Sequence, residues 1–114
     1  MNHATVSQEI PECIAACNAC HEVCLETVAH CLHQGGAHAE SRHIRLLLDC
    51  AEICQACANF MLRGSDLHTG VCALCADICQ RCAEDCSRTS DDGEMRACAE
   101  ECRACAQSCM SMTR

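Results

Sequence analysis

The chain has 114 residues, a formal charge of −8 and seventeen cysteines, with Phe60 its one aromatic residue. That length suits a single domain over residues 1–114 with one core, and the acid excess leaves no basic stripe for phosphates, which excludes a nucleic-acid partner. No apolar run is long enough to span a bilayer, so no membrane partner is expected either.

Met1 to Glu9 carries no basic segment, apolar signal core or twin-arginine pair, which predicts a cytoplasmic location. A first helix is predicted over about 8–34. Ser7 can cap its first amides, Pro11 is tolerated in a first turn whose N–H groups lack partners, and Gly35 and Gly36 end it. A second helix, about 39–63, stops at Gly64 with Arg63 in its last turn. Ser65 or Asp66 caps a third, about 66–88. Thr89 to Asp92 form a polar turn, and Asp91 or Asp92 caps a fourth, about 93–112. The short turns predict an all-α, antiparallel up-down-up-down four-helix bundle.

The cysteines recur every three or four positions, which on a helix keeps them on one stripe. They are Cys13, Cys17, Cys20, Cys24 and Cys31 on the first helix and Cys50, Cys54 and Cys57 on the second. The third carries Cys72, Cys75, Cys79, Cys82 and Cys86, and the fourth Cys98, Cys102, Cys105 and Cys109. These are the positions where a bundle ordinarily places leucine, so the predicted core is lined with cysteine. The second helix also has Leu46, Ile53 and Phe60 at seven-residue spacing off this stripe, a second apolar face suited to another subunit. His30, His33 and His38, near the first turn, read as solvated loop histidines, and the glutamates between cysteines as surface charge.

Cytoplasmic thiols are kept reduced, an odd number cannot pair completely within one chain, and side chains on one stripe make poor disulfide geometry. Metal is the better reading. Thiolate-rich sites select Cu(I), zinc or iron–sulfur clusters. Zinc favours separate tetrahedral sets and iron–sulfur clusters four ligands wrapped by loops, whereas here every CxxC overlaps a CxxxC. Cu(I) accepts two or three thiolates and bridging sulfur. Residues four apart on a helix have Cβ atoms roughly 5–6 Å apart, so pairs such as Cys13/Cys17, Cys20/Cys24 and Cys105/Cys109 suit two-coordinate Cu(I). Buried thiolates also require compensating cations, with an upper bound on the order of seventeen monovalent ions for a neutral core.

The segments Cys-Ala-Asp-Ile-Cys-Gln-Arg-Cys-Ala-Glu-Asp-Cys (75–86) and Cys-Ala-Glu-Glu-Cys-Arg-Ala-Cys-Ala-Gln-Ser-Cys (98–109) belong to a pattern running from Cys13 to Met112. In this the chain resembles the cytosolic copper storage proteins, four-helix bundles with cysteine-lined cores. The resemblance implies storage of many Cu(I) ions per bundle, a homotetramer, a cytoplasmic address, and exchange with a copper chaperone or thiol carrier. Cytosolic members have histidines in the turn before the fourth helix, where copper is thought to be admitted; here Thr89 to Met95 contains none. Candidate admission ligands in line with the stripes are His43 and Met95 at one end, and Met61, His68 and Met112 at the other.

Two other functions compete with copper storage. One is a zinc or general metallothionein-like buffer, with fewer ions and CxxC-dominated ligation. The other is an enzyme of thiol–disulfide exchange, which needs an exposed low-pKa thiol at a helix start; Cys72 is nearest, but lies in the buried stripe. A non-enzymatic copper store is the expectation.

Overall fold

The computed structural model describes residues 3–113, with side chains from residue 8 onward. Four helices dominate: α1 His3–Gln34, α2 Ser41–Leu62, α3 His68–Thr89 and α4 Gly93–Ser111. Each packs on its chain neighbours and α1 also packs on α4, closing an up-down-up-down bundle 48 Å long and about 20 Å across. Among the described residues there is no strand.

The helix ends follow from local chemistry, with two departures from expectation. α1 starts at His3, upstream of the predicted start, so Pro11 lies in the helix body rather than its first turn. Pro11 is exposed, so the carbonyl it cannot bond is free to turn to water. The predicted capping by the Ser7 side chain lies outside the described residues. α3 starts at His68 behind Leu67, and neither Ser65 nor Asp66 caps it. Ser65 instead organises the turn: its hydroxyl accepts from the Leu67 N–H at 3.1 Å and its carbonyl from His68 Nδ1 at 2.9 Å.

Between α1 and α2 the chain makes one 3₁₀ turn, Gly36–Ala39, and the Glu40 carboxylate then caps α2 through the His43 N–H. At the other end of α2, the Ser65 N–H reaches the Phe60 carbonyl at 3.0 Å and the Gly64 N–H reaches Met61 at 3.1 Å. This pair of bonds forms a Schellman closure, with Gly64 left-handed at φ 67°. Asp92 caps α4, its Oδ1 accepting from the Met95 N–H at 2.9 Å.

The cysteines share the interior with alanine. Ala51 and Ala58 on α2, Ala76 and Ala83 on α3, and Ala99 and Ala106 on α4 are buried, each directly after a cysteine and seven residues apart. Small side chains there let the helices approach closely enough for sulfur to meet sulfur. The second face of α2 is only half-covered within one chain: Leu46, Ile53 and Phe60 are partly buried, and the Arg63 guanidinium lies 4.4 Å from the Phe60 ring centre.

Gly64→Ala places a side chain where the left-handed backbone disfavours one, although there is open space around it. The metal-free variant should lose about 1–2 kcal/mol of stability, read as a lowered thermal midpoint by circular dichroism.

Candidate metal centre

All seventeen cysteines are buried and none forms a disulfide. Sixteen are fully enclosed and Cys82 is 1% exposed. The sulfurs form a continuous column rather than separate clusters. Near one end Cys57 and Cys72 are 3.4 Å apart, and Cys109 lies 3.7 Å from both Cys13 and Cys17. In the middle Cys20 lies 3.7 Å from Cys102 and 3.8 Å from Cys50, and Cys54 lies 3.6 Å from Cys79. Further along, Cys86 meets Cys98 at 3.8 Å. Three sulfurs held ~2.3 Å from one ion sit about 4.0 Å apart in a trigonal array and about 3.8 Å apart in a tetrahedral one. The column already has these spacings.

The closest of these approaches mostly join different helices. Cys75 and Cys79, 3.8 Å apart, are an exception within α3. Sulfurs from facing helices thus stand beside those four apart on one helix, where the sequence leads one to expect a third ligand or a bridge. The sets also overlap. Five of the four-cysteine groups whose sulfurs lie within 4.8 Å of one another draw on twelve cysteines, and eight of these recur in a second of the five: Cys20, Cys24, Cys50, Cys54, Cys75, Cys79, Cys102 and Cys105. A sulfur shared in this way is placed to bridge two ions.

Electrostatics gives the column its appetite for cations. Burial pushes the thiols up, while a thiolate that accepts an S–H bond is pulled down as its donor is pushed up. Cys20 and Cys50 are held low chiefly by Cys102, and Cys102 is driven up, first by Cys20. Without metal only part of the column can ionise at once.

The two ends differ. At one, Cys31 Sγ lies 3.4 Å from His43 Nε2 and 3.6 Å from Met95 Sδ. His43 is 3% exposed, and its Nδ1 bonds the Asp85 carboxylate at 2.5 Å, which orients the ring with Nε2 toward the sulfur. Burial raises the Cys31 thiol to about 11, with the charges of Asp92, Cys98, Glu94 and Asp85 adding to it. This thiol, imidazole and thioether stand apart from the column on two sides. Thr27 takes the stripe position between Cys24 and Cys31, and Leu47 the one between His43 and Cys50; both are fully buried. The Thr27 hydroxyl is satisfied by the Val23 carbonyl at 2.7 Å.

At the other end Met61 Sδ lies 4.0 Å from Cys72, and Met61 and Met112 are both buried. His68 bonds the carbonyl of Ser65 in its own turn and is not brought to a sulfur. Two histidines were misread from sequence. His30 and His38 are not free in solvent: both direct Nε2 at Asp92 Oδ2, at 3.2 and 2.8 Å. Asp85, too, gave no sequence signal for its place behind His43. His33 is exposed as expected.

A four-helix bundle filled by closely spaced, shared thiols defines a class of protein built around metal–thiolate binding. Residues 6–114 match the copper storage protein family, and the chain belongs to that family. The protein Nmul_A1745 from Nitrosospira multiformis is similar in structure, with 46% identity, a TM-score of 0.89, and coverage of 94% of this chain and 96% of that one. The Cu(I)-bound copper storage protein BsCsp3 is 37% identical with a TM-score of 0.87, over 93% of this chain and 99% of its own. The cytosolic copper storage protein of Streptomyces lividans, in a structure with five coppers, is 29% identical with a TM-score of 0.86, over 93% of this chain and 92% of its own. Among curated proteins, the cysteine-rich YhjQ of Bacillus subtilis (strain 168) is 39% identical over 65 residues, 57% of this chain. The chain spans 60% of the length of that relative.

Asp92 joins His30, His38 and the start of α4 at this end, and its carboxyl is held well below the usual carboxylate range, first by the Met95 N–H and then by His38. Its folded pKa is depressed, so its contribution to stability is complete above the unfolded value of about 3.9 and is lost as pH falls below it. Metal-free wild type should therefore lose stability between about pH 4 and pH 2 more steeply than Asp92→Asn, measured by urea unfolding at each pH.

Proposed function

We propose that this protein stores Cu(I), holding many ions per chain on the cysteine column. The observation that carries this reading is the sharing of sulfurs between neighbouring groups. Overlapping thiolate sets suit a soft monovalent ion that takes two or three sulfurs and tolerates bridging, and they suit isolated tetrahedral zinc poorly. Monovalent charge also lets metal approach sulfur one to one without a large positive excess in a dry core. The ligands are all seventeen cysteines. The Cu(I) bound to BsCsp3 and the coppers in the Streptomyces lividans protein support the same choice of ion.

Ions are admitted at the end formed by Cys31, His43 and Met95. Imidazole and thioether bind Cu(I) more weakly than thiolate, as a transfer site requires, and Asp85 holds the imidazole in the accepting orientation. Met61 and Met112 close the opposite end as apolar packing with a soft atom in reserve.

The protein acts in the cytoplasm as a sink and reserve rather than as an enzyme, exchanging copper with a chaperone or thiol carrier. No helix among the described residues is long and apolar enough to cross a membrane. The half-covered face of Leu46, Ile53 and Phe60 on α2 supports self-association, as a tetramer by analogy with cytosolic relatives.

Anaerobic titration of the reduced protein with Cu(I) against a chromogenic chelator tests the central claim. Uptake of more than about ten ions per chain, within the charge bound for seventeen thiolates, is expected, and saturation at one to four would overturn storage. His43→Ala and Met95→Leu should leave the final count nearly unchanged while slowing stopped-flow loading by about tenfold, the usual scale for losing a supporting ligand. Equal loading rates in these variants would place admission elsewhere.

A further inference from the structure

His30, His38 and Asp92 come from three separate segments, the last turns of α1, the 3₁₀ turn and the cap of α4. Their rings meet edge to face with centroids 5.5 Å apart. Both Nε2 atoms converge on a single oxygen, Asp92 Oδ2, at 2.8 and 3.2 Å, and Ser90 Oγ reaches the same oxygen at 3.1 Å. Three donors on one carboxylate oxygen exceed its two lone pairs and crowd two ring N–H groups together. A cation in their midst relieves that crowding, because each imidazole then offers a lone pair instead of a proton. Ligand atoms ~2.0–2.1 Å from one ion lie about 2.9 Å apart at a right angle and about 3.3 Å apart at the tetrahedral angle. The observed separations fall close to this range.

We infer that His30, His38 and Asp92 form a second metal site, for a divalent transition ion such as Zn²⁺ or Cu²⁺, outside the thiol column. Two imidazoles and a carboxylate without sulfur make a borderline donor set, suited to a divalent ion and poorly suited to Cu(I). The side chains are between 18% and 34% exposed, leaving room for water to complete the coordination. Asp92 Oδ1 stays engaged as the cap of α4, so only Oδ2 turns to the ion. The site is a binding site and carries no reaction.

The test begins with protein loaded with Cu(I) and verified by metal count, so that its thiols are occupied. Adding Zn²⁺ in a calorimeter should show one further ion per chain. Adding Co²⁺ should give weak d–d bands without the intense near-ultraviolet charge transfer of cobalt–thiolate bonds. His38→Ala and Asp92→Asn, the latter keeping a capping oxygen, should each weaken Zn²⁺ binding at least about tenfold with the Cu(I) count unchanged. Absence of the extra ion, thiolate bands alone, or equal Zn²⁺ affinity in the variants overturns the inference. A failed Cu(I) count in the first step speaks against the storage reading instead, so the two are separable.

Discussion

Sulfur packed against sulfur in a dry interior is the constraint on which the rest of this structure depends. Seventeen buried thiols provide modest hydrophobic burial and little volume, and they cannot ionise together. The bundle accommodates both facts. Alanine beside the cysteines draws the helices in, and the column is left with a demand for positive charge that the protein itself does not meet. The chain has no lysine, and among the described residues no arginine enters the core; its buried members are cysteine, alanine and a few larger side chains. Monovalent cations on the sulfurs would let the whole column ionise without a build-up of negative charge.

That arrangement also separates permanent structure from cargo. The helices are fixed by elements outside the column: the Asp92 and Glu40 caps, the Schellman closure at Gly64 and the Ser65 turn. None of the cysteines of the column doubles as a helix cap. Asp92 is the point where the two sets touch, because the carboxylate that caps α4 also gathers His30 and His38 beside Cys31 and Met95.

Much of this was legible in the sequence because the signal is periodic. Cysteines at steps of three and four project onto one face wherever a helix forms, so their burial and the bundle follow from spacing alone. The grouping of His43 with Met95 followed from the antiparallel order of the helices. Local exceptions were harder to read. Pro11 resembles a helix start, yet an exposed proline can sit within a long helix. Leu67 precedes α3 without a capping side chain, because Ser65 organises that turn from further back. The partnerships of His30 and His38 with Asp92 were hidden for another reason. They span 62 and 54 residues of sequence, and no periodicity connects a helix end, a 3₁₀ turn and a distant cap.

Thr27 and Leu47 carry a further consequence. On α1 the step from Cys24 to Cys31 covers seven residues, about 10.5 Å along the axis, and α2 makes the same step from Cys50 to His43. Over that stretch half the wall offers an ion nothing to hold. The other half carries Cys86 and Cys98 side by side, 3.8 Å apart. On the proposed route of admission, ions from the Cys31 end reach the column along one side only, past Cys86 and Cys98. On that route, Thr27 and Leu47, two buried side chains without a thiol, narrow the way in.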